Sequence, residues 1–253
     1  NGNSASAVHN YSVDSSVPTI IINTVASDNI VNASEADAGV TVSGSTTAEA
    51  GQIVTITLNS PTVQTYQATV QADGSWSINI PAADLEALTD GSHTLTATVN
   101  DKAGNPASTT HNLAVDLTVP VLTINTIAGD DIINAAEHGQ ALVISGSSTG
   151  GEAGDVVTVT LNSKTYTTTL DASGNWSVGV PAADVTALGS GPQTVTASIT
   201  DAAGNSDDAS RTVTVNLTAP TIGINTIATD DVINAIEKGA DLQISGTSNQ
   251  PAG

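Results

Sequence analysis

The chain has 253 residues, of which 25 are acidic and only 4 are basic, so its net charge is −21; it contains no cysteine. This charge excludes a basic nucleic-acid footprint and disfavours anionic membrane surfaces as partners. The missing thiols exclude disulfides, thiolate metal sites and cysteine nucleophiles, and no apolar run is long enough to span a membrane.

An internal repeat organises the chain. The junction prolines Pro18, Pro120 and Pro220 recur at intervals of roughly 100 residues. The segment DGSWSINIPAADLEAL at 73–88 returns as SGNWSVGVPAADVTAL at 173–188. A scaffold that is copied with only local changes predicts tandem units of one fold.

The register of the repeat predicts the domain boundaries. Residues 18–119 and 120–219 are expected to form two complete units. Residues 1–17 match 103–119, which predicts the last strand of a preceding unit, and residues 220–253 match the first part of a further unit. We therefore interpret the chain as an internal piece of a longer tandem array.

Within each unit the apolar residues alternate with period two, which predicts half-buried strands. The segments 53–58, 75–80 and 94–99 each place aliphatic or aromatic side chains on one face and hydroxyls on the other. The side chains expected to face the core are Val54, Ile56, Leu58, Trp76, Ile78, Ile80, Leu95, Ala97 and Val99.

One helix-like turn, PAADLEAL, follows the 75–80 strand, with Pro81 at its entry. About seven strands in roughly 100 residues is the size and spacing of an immunoglobulin-like β-sandwich. We therefore predict an all-β fold of tandem immunoglobulin-like sandwiches in a rod-like array. No cysteine pair bridges the sheets, so the core is expected to depend on packing of Trp76 with Tyr66 and the aliphatic residues.

An acidic loop follows the first strand of each unit, at 22–39, 124–139 and 224–239. It repeats carboxylate and amide side chains at fixed offsets, at one end of the predicted sandwich. These are Asp28, Asn29, Asn32 and Glu35 in the first unit and Asp130, Asp131, Asn134 and Glu137 in the second. Such residues either hold a cation or shape turns and cap helices, and the pattern leaves both readings open.

Other acids are expected at the same end. Asp116 closes the last strand of the first unit, and the loop before the last strand of the second unit carries Asp201 and Asn205. The topology brings these groups toward one border, although sequence leaves open which acids meet. Calcium accepts six to eight oxygen ligands in loose geometry, whereas zinc prefers histidine or cysteine and magnesium retains water. The pattern therefore favours Ca²⁺.

Alternative functions find less support in the sequence. His9, His93, His111 and His138 lack repeated serine or aspartate companions, so no catalytic constellation is predicted. A threonine-rich face for ice binding and a loop surface for glycan binding remain as alternatives. Exposed aromatic residues outside the core would favour the glycan-binding alternative.

The motifs VDLTVP, INTIAGDDIINAAE, SGNWSVGVPAADV and TDAAGN together resemble the bacterial Ig-like repeats of giant type I-secreted non-fimbrial adhesins. The resemblance covers the whole chain. It implies an extracellular rod on the bacterial surface, stiffened by calcium, that contacts neighbouring repeats and presents a distal region to host cells or a biofilm. It implies no enzymatic activity.

The resemblance also implies calcium ligands, because the family binds calcium through acidic residues near the domain borders. Carried over to this sequence, these are Asp14, Asp28, Asp101, Asp116, Asp130, Asp131, Asp201, Asp230 and Asp231. Two positions depart from the pattern: Asn216 stands where Asp14 and Asp116 stand, and Asn29 replaces the second aspartate of its loop. Each departure removes one formal charge, so weaker binding is expected there.

Overall fold

Two β-sandwiches of the same topology follow one another in a computed structural model that describes residues 2–59 and 62–249. The predicted all-β, tandem immunoglobulin-like architecture is confirmed. The elements of the first sandwich are β1 Ile20–Ile22, β2 Ile30–Asn32, α1 Ala33–Ala38, β3 Val40–Thr46, β4 Ile53–Asn59, β5 Gln64–Thr69, β6 Ser75–Ile80, α2 Ala82–Leu85, β7 Gly91–Asn100 and β8 Pro106–Asp116.

The second sandwich repeats this order, with a turn in place of α1. Its elements are β9 Val121–Ile124, β10 Ile132–Asn134, β11 Leu142–Thr149, β12 Val156–Leu161, β13 Lys164–Thr169, β14 Asn175–Val180, α3 Ala182–Thr186, β15 Gly191–Thr200 and β16 Ser206–Asn216. A short pair, β17 Ile222–Ile224 and β18 Gly246–Ser248, follows with a 3₁₀ turn at Glu237–Gly239 between them. No helix in the described part of the chain is long and apolar enough to cross a membrane.

Each sandwich packs a three-stranded sheet against a five-stranded one. In the first unit the strand orders are β1-β3-β6 and β2-β8-β7-β4-β5. All pairings are antiparallel except that of β2 with β8, which is parallel and places Asn32 opposite Asp116. The end of the acidic loop therefore lies beside the end of the last strand, at the edge that faces the second unit.

The first strand of each unit is divided, which explains why each unit has eight strand segments instead of the predicted seven. Ala26, Ser27 and Asn29 adopt positive φ angles between β1 and β2. This turn moves the chain from the three-stranded sheet to the five-stranded sheet. An Asx residue tolerates the left-handed conformation better than most, which suits Asn29 to its position.

The core of each unit follows the predicted alternation. All nine side chains that we expected to face inward are buried, and they form one cluster with Val25, Val31 and Leu113. Tyr66 packs against this cluster, and Pro81 precedes α2 as predicted. A second cluster, also of aliphatic residues around one buried tryptophan, lies between 122 and 215.

The flanking segments differ from the two sandwiches. Residues 2–17 have no regular secondary structure, and the side chain of Tyr11 is 84% exposed whereas its counterpart Leu113 is fully buried. Residues 2–17 therefore do not form the predicted last strand in this structure. The assignment of 1–17 and 220–253 to partial units stays a prediction; residues 1, 60–61 and 250–253 lie outside the described residues.

A glycine lies against the buried tryptophan in each core. A Cβ atom on Gly146 would lie 1.9 Å from the Thr123 carbonyl oxygen and 2.6 Å from the Trp176 ring. Gly44 has the same relation to Ile21 and Trp76. The indole therefore occupies the space that a side chain on the neighbouring strand would need, which fixes glycine at this position.

We expect Gly146→Ala to destabilise the second unit by about 3 kcal/mol, because the methyl group must displace backbone and ring atoms. Gly179→Ala, in the adjacent strand with nothing within 4 Å of the added atom, is the matched control and should be close to neutral. Thermal unfolding of both variants measures the difference; equal melting temperatures would contradict the close packing.

A tyrosine–aspartate hydrogen bond joins the edge strand to the short helix in both units. The Tyr66 hydroxyl donates to Asp84 at 2.7 Å, and the Tyr166 hydroxyl donates to Asp184 at 2.8 Å. Lys164 adds an ion pair to Asp184. Burial, followed by the bond to the carboxylate, raises the pKa of Tyr166 from 10.0 to about 12.

This bond makes stability depend on pH in the alkaline range. Because the folded-state pKa of Tyr166 is raised, its contribution is complete below about pH 10 and is lost as the pH rises through about 12. We expect Tyr166→Phe to cost roughly 1.5 kcal/mol at pH 7 and to lose less stability than the parent chain between pH 10 and 12. Chemical denaturation at pH 7, 10 and 12 measures the free energy of unfolding of each chain. Tyr11→Phe, in the exposed segment, is the control. Equal losses of stability between pH 10 and 12 in the parent chain and in Tyr166→Phe would refute the prediction.

Candidate metal centre at the border between the units

Asp116 is the acidic residue at the centre of the border between the two sandwiches. It ends β8 and is half-buried, and its side chain accepts the Thr118 amide at 3.1 Å. Burial raises the pKa of Asp116 first, and the negative charges of Asp201, Asp90 and Asp155 raise it further. Burial and the neighbouring negative charges therefore disfavour the charged form of Asp116 at this border.

The loop before β16 brings Asp201 to the border. One carboxylate oxygen of Asp201 accepts the amides of Ala203 and Asn205, at 2.9 and 2.8 Å. The other accepts the Asn205 side-chain amide at 2.9 Å, and that amide also donates to the Asp116 carbonyl oxygen at 3.0 Å. The structure thus brings together Asp116 and Asp201, two of the residues that sequence assigned to this border.

The same arrangement recurs at the start of the first unit. Asp101 is buried and holds Asn105 through both the backbone and the side-chain amide, at 2.8 Å each. The Asn105 side chain reaches the carbonyl oxygens of Asp14 and Ser16 at 3.3 Å. Asn105 therefore links the Asp101 side chain to the Asp14 backbone in the way that Asn205 links Asp201 to the Asp116 backbone.

Sequence reasoning missed three acids near Asp116. Asp90 accepts the Leu117 amide at 2.7 Å and the Thr118 hydroxyl at 2.5 Å, so it holds the connecting segment. Asp90, Asp116 and Glu152 line one open cleft, and Asp155 lies close enough to raise the pKa of Asp116. Asp90 lacks a repeated counterpart, because Ser190 stands at its position in the second unit. Its place before β7, whose start pairs with the end of β8, is the signal that could have found it.

The acidic loops supply turn geometry. Asn29, Asp131 and Asp231 have positive φ angles, and the side chain of each accepts the amide four residues earlier. The preceding aspartates, Asp28, Asp130 and Asp230, each accept the amide two residues later. These bonds account for the fixed offsets without an ion. A metal-binding role for the five aspartates stays a prediction.

Asp131 also has a strong partner within its own unit. Arg211 binds both of its oxygens, at 2.6 and 2.5 Å, and donates to the Ile124 carbonyl oxygen at 3.1 Å. This bidentate contact lowers the pKa of Asp131 to about 2. In the first unit His111 contacts Asn29 at 2.7 Å at the same positions. The Asp131 carbonyl oxygen also accepts the Thr214 amide of β16 at 2.8 Å, so Asp131 is bound to the last strand of its own unit.

Asn32 and Glu35 form a capping box at the start of α1. The Asn32 side chain accepts the Glu35 amide at 3.0 Å, and Glu35 accepts the Asn32 amide at 3.1 Å. Asn134 and Glu137 make the same two bonds. The sequence signal for this helix start was Asn-x-x-Glu, so of the two open interpretations the structure supports capping for these two pairs.

The donor chemistry of the border fits calcium, although the acids do not converge on a point. Its side chains offer carboxylate oxygens, and its backbone offers carbonyl oxygens, which are the ligands that Ca²⁺ prefers. Within residues 2–59 and 62–249, no three histidine, aspartate or glutamate side chains lie close enough together to hold a metal ion. A bound ion would therefore require small movements of the border loops or ligands from the backbone.

The histidines and aromatic residues serve the fold. His93 and His138 contact the carbonyl oxygens of Thr89 and Leu188, at 2.8 and 3.0 Å. Trp76 and Trp176 are 1% and 3% exposed. A glycan-binding surface usually presents exposed aromatic rings, whereas the two sandwiches bury their tryptophans and half-bury Tyr66 and Tyr166.

Comparison with solved structures gave similar adhesin fragments. One, from work on a Ca²⁺-stabilised adhesin with which an Antarctic bacterium binds ice, is 38% identical over 94% of this chain, with a TM-score of 0.46. Another, from a 1.5-MDa bacterial ice-binding adhesin, is 38% identical over 81% of this chain, with a TM-score of 0.46. This chain spans 59% and 66% of their respective lengths. A single immunoglobulin-like domain of the M. primoryensis ice-binding adhesin is 41% identical over 39% of this chain and 99% of its own length, with a TM-score of 0.32.

Comparison with curated proteins gave no match. The bacterial Ig-like domain family matches residues 22–117 and 145–218, which together form most of the two sandwiches. These ranges include the buried tryptophan of each unit, both tyrosine–aspartate hydrogen bonds and both loops that precede the last strands. The chain belongs to the bacterial Ig-like domain family.

Proposed function

We propose that this chain is a calcium-stiffened spacer segment of a large bacterial surface adhesin. In this role the two sandwiches act as rigid units, and their border decides how far the array bends. The proposal places the segment outside the cell, where neighbouring repeats are its direct partners and a distal region contacts a host cell or biofilm. The adhesin context comes from the motif resemblance and from the kind of protein to which the similar fragments belong.

The raised pKa of Asp116 is the observation that carries the calcium part of the proposal. Ionisation of a carboxylate that is half-buried among Asp90, Asp155 and Asp201 costs additional free energy. A divalent cation would remove this repulsion and draw the two sides of the border together. Asp116, Asp201, Asp90 and Glu152 would supply its oxygens, two from each unit. Calcium supplies only charge and coordination here, and no chemical step follows.

The calcium affinity expected of such a site suits a border whose bending depends on the calcium concentration. Extracellular modules bind calcium with dissociation constants of roughly 10⁻⁴ to 10⁻³ M. At a free calcium concentration ten times that constant, one site stabilises the bound border by about 1.4 kcal/mol. This energy restricts bending where calcium is plentiful, and it disappears where calcium is scarce.

The borders of the chain differ in charge. Asn216 and Ser190 replace Asp116 and Asp90 at the end of the second unit, which removes two carboxylates. At the first border Lys102 lies beside Asp14 and adds a positive charge. The border between the two complete units is therefore the one where calcium should act most strongly.

We expect small-angle scattering of the whole chain to show a longer, narrower distance distribution in calcium than in chelator. Asp116→Asn should reduce this response, because it removes the carboxylate with the raised pKa. In chelator the same variant should be at least as stable as the parent chain, since it also removes repulsion.

Asp73→Asn is the matched control. It removes one carboxylate from the turn before β6, at the opposite end of the first unit, and keeps the oxygen that accepts the Ser75 amide. This variant should respond to calcium like the parent chain. Superimposable curves for the parent chain in calcium and in chelator would rule out calcium stiffening.

A further inference from the structure

Asn205 connects the two units by hydrogen bonds that involve no ion. It lies in the loop between β15 and β16 and is only 5% exposed. Its side-chain oxygen accepts the Ala33 amide at 2.8 Å, and its side-chain nitrogen donates to the Asp116 carbonyl oxygen at 3.0 Å. One side chain thus contacts both the start of α1 and the end of β8, which are separated by more than 80 residues in the first unit.

We propose that Asn205 and Ala33 form a cation-independent latch that sets the angle between the two sandwiches. The Ala33 amide is the first of α1, and such amides have no partner within their own helix. Asn205 supplies that partner from the next unit. A second contact supports the latch, because the Asn32 side chain donates to the Ala203 carbonyl oxygen at 3.2 Å.

Hydrogen bonds within its own loop hold the side chain of Asn205. Asp201 accepts both the backbone and the side-chain amide of Asn205, which fixes the side chain in its docking orientation. Preorganisation of this kind lowers the entropy cost of forming a contact. Docking therefore requires only that the preceding unit present an amide donor and a carbonyl acceptor with the right spacing.

The repeat provides independent support. In the first unit Asp101 holds Asn105 through the same two bonds, and the Asn105 side chain reaches the Asp14 carbonyl oxygen. Asp14 corresponds to Asp116 in the repeat. The motif Asp-x-Ala-Gly-Asn is thus a docking motif, and its target is the end of the last strand of the preceding unit.

The latch and the calcium site have different roles at one border. The latch uses neutral amide and carbonyl groups, so chelation leaves its donors and acceptors unchanged. It sets the mean orientation of the units, whereas a cation relieves the repulsion among the surrounding carboxylates. The inference does not depend on the proposed calcium binding.

Hydrogen exchange of the Ala33 amide in chelator tests the latch directly. We expect Asn205→Ala to increase this exchange rate about tenfold, the effect of losing one good hydrogen bond. Asn105→Ala is the matched control, because it breaks the same bonds within its own loop but leaves Ala33 with its acceptor. Equal exchange rates in the parent chain and Asn205→Ala in chelator would overturn the proposal.

Ala33→Pro provides a second test that leaves the Asn205 loop intact. Proline is favoured at the first position of a helix, and the extended conformation of Asn32 (ψ 174°) is compatible with a following proline. The substitution therefore removes the donor of the latch while α1 persists. We expect circular dichroism and thermal unfolding of this variant to show that the unit remains folded.

The orientation of the units is measured by spin-label distances. The chain has no cysteine, so exposed Ser77 and Ser177, changed to cysteine, carry the labels without background. In chelator we expect a loss of the parent distance peak in both Asn205→Ala and Ala33→Pro, and its retention in Asn105→Ala. Distributions that coincide with the parent in both latch variants would overturn the proposal.

The two proposals fail separately. If the spin-label distance distribution of the parent chain does not narrow when calcium is added, this result counts against calcium stiffening and leaves the latch proposal unaffected. A parent chain that has no preferred distance in chelator, and gains one only with calcium, would eliminate the latch.

Discussion

The parallel pairing of β2 with β8 is the constraint on which the border depends. The first strand of each unit leaves the three-stranded sheet at a turn of positive φ angles and joins the five-stranded sheet beside the last strand. This places Asn32 opposite Asp116, so the start of α1 and the end of the unit share one edge. Without the pairing, the two surfaces that the next unit contacts would lie on different sheets.

The border combines groups that attract and groups that repel. Hydrogen bonds between neutral amide and carbonyl groups connect the two units through Asn205. Around them lie carboxylates, and the pKa of Asp116 is raised by its burial and then by the negative charges of these neighbours. In the proposed spacer, the hydrogen bonds would define the orientation of the units, and the uncompensated charge would make that orientation respond to cations.

The same internal contacts recur in both units. Each buries one tryptophan against a glycine on the neighbouring strand, and each joins its edge strand to a short helix through a tyrosine–aspartate bond. Arg211 and Asp131 in the second unit, and His111 and Asn29 in the first, connect the acidic loop to the last strand. The internal contacts are repeated, whereas the charges at the borders vary.

The repeat, the alternating strands and the inward-facing residues could be predicted from the sequence, because they follow from local periodicity and from copies of the same motif. The partner of each carboxylate and amide oxygen could be identified only from the folded chain. Asp131 meets Arg211, Asn32 caps α1, and Asp90, which no motif marks, reaches the connecting segment. An aspartate that shapes a turn and one that faces a neighbouring unit have the same sequence pattern, because their difference lies in contacts between residues far apart in the chain.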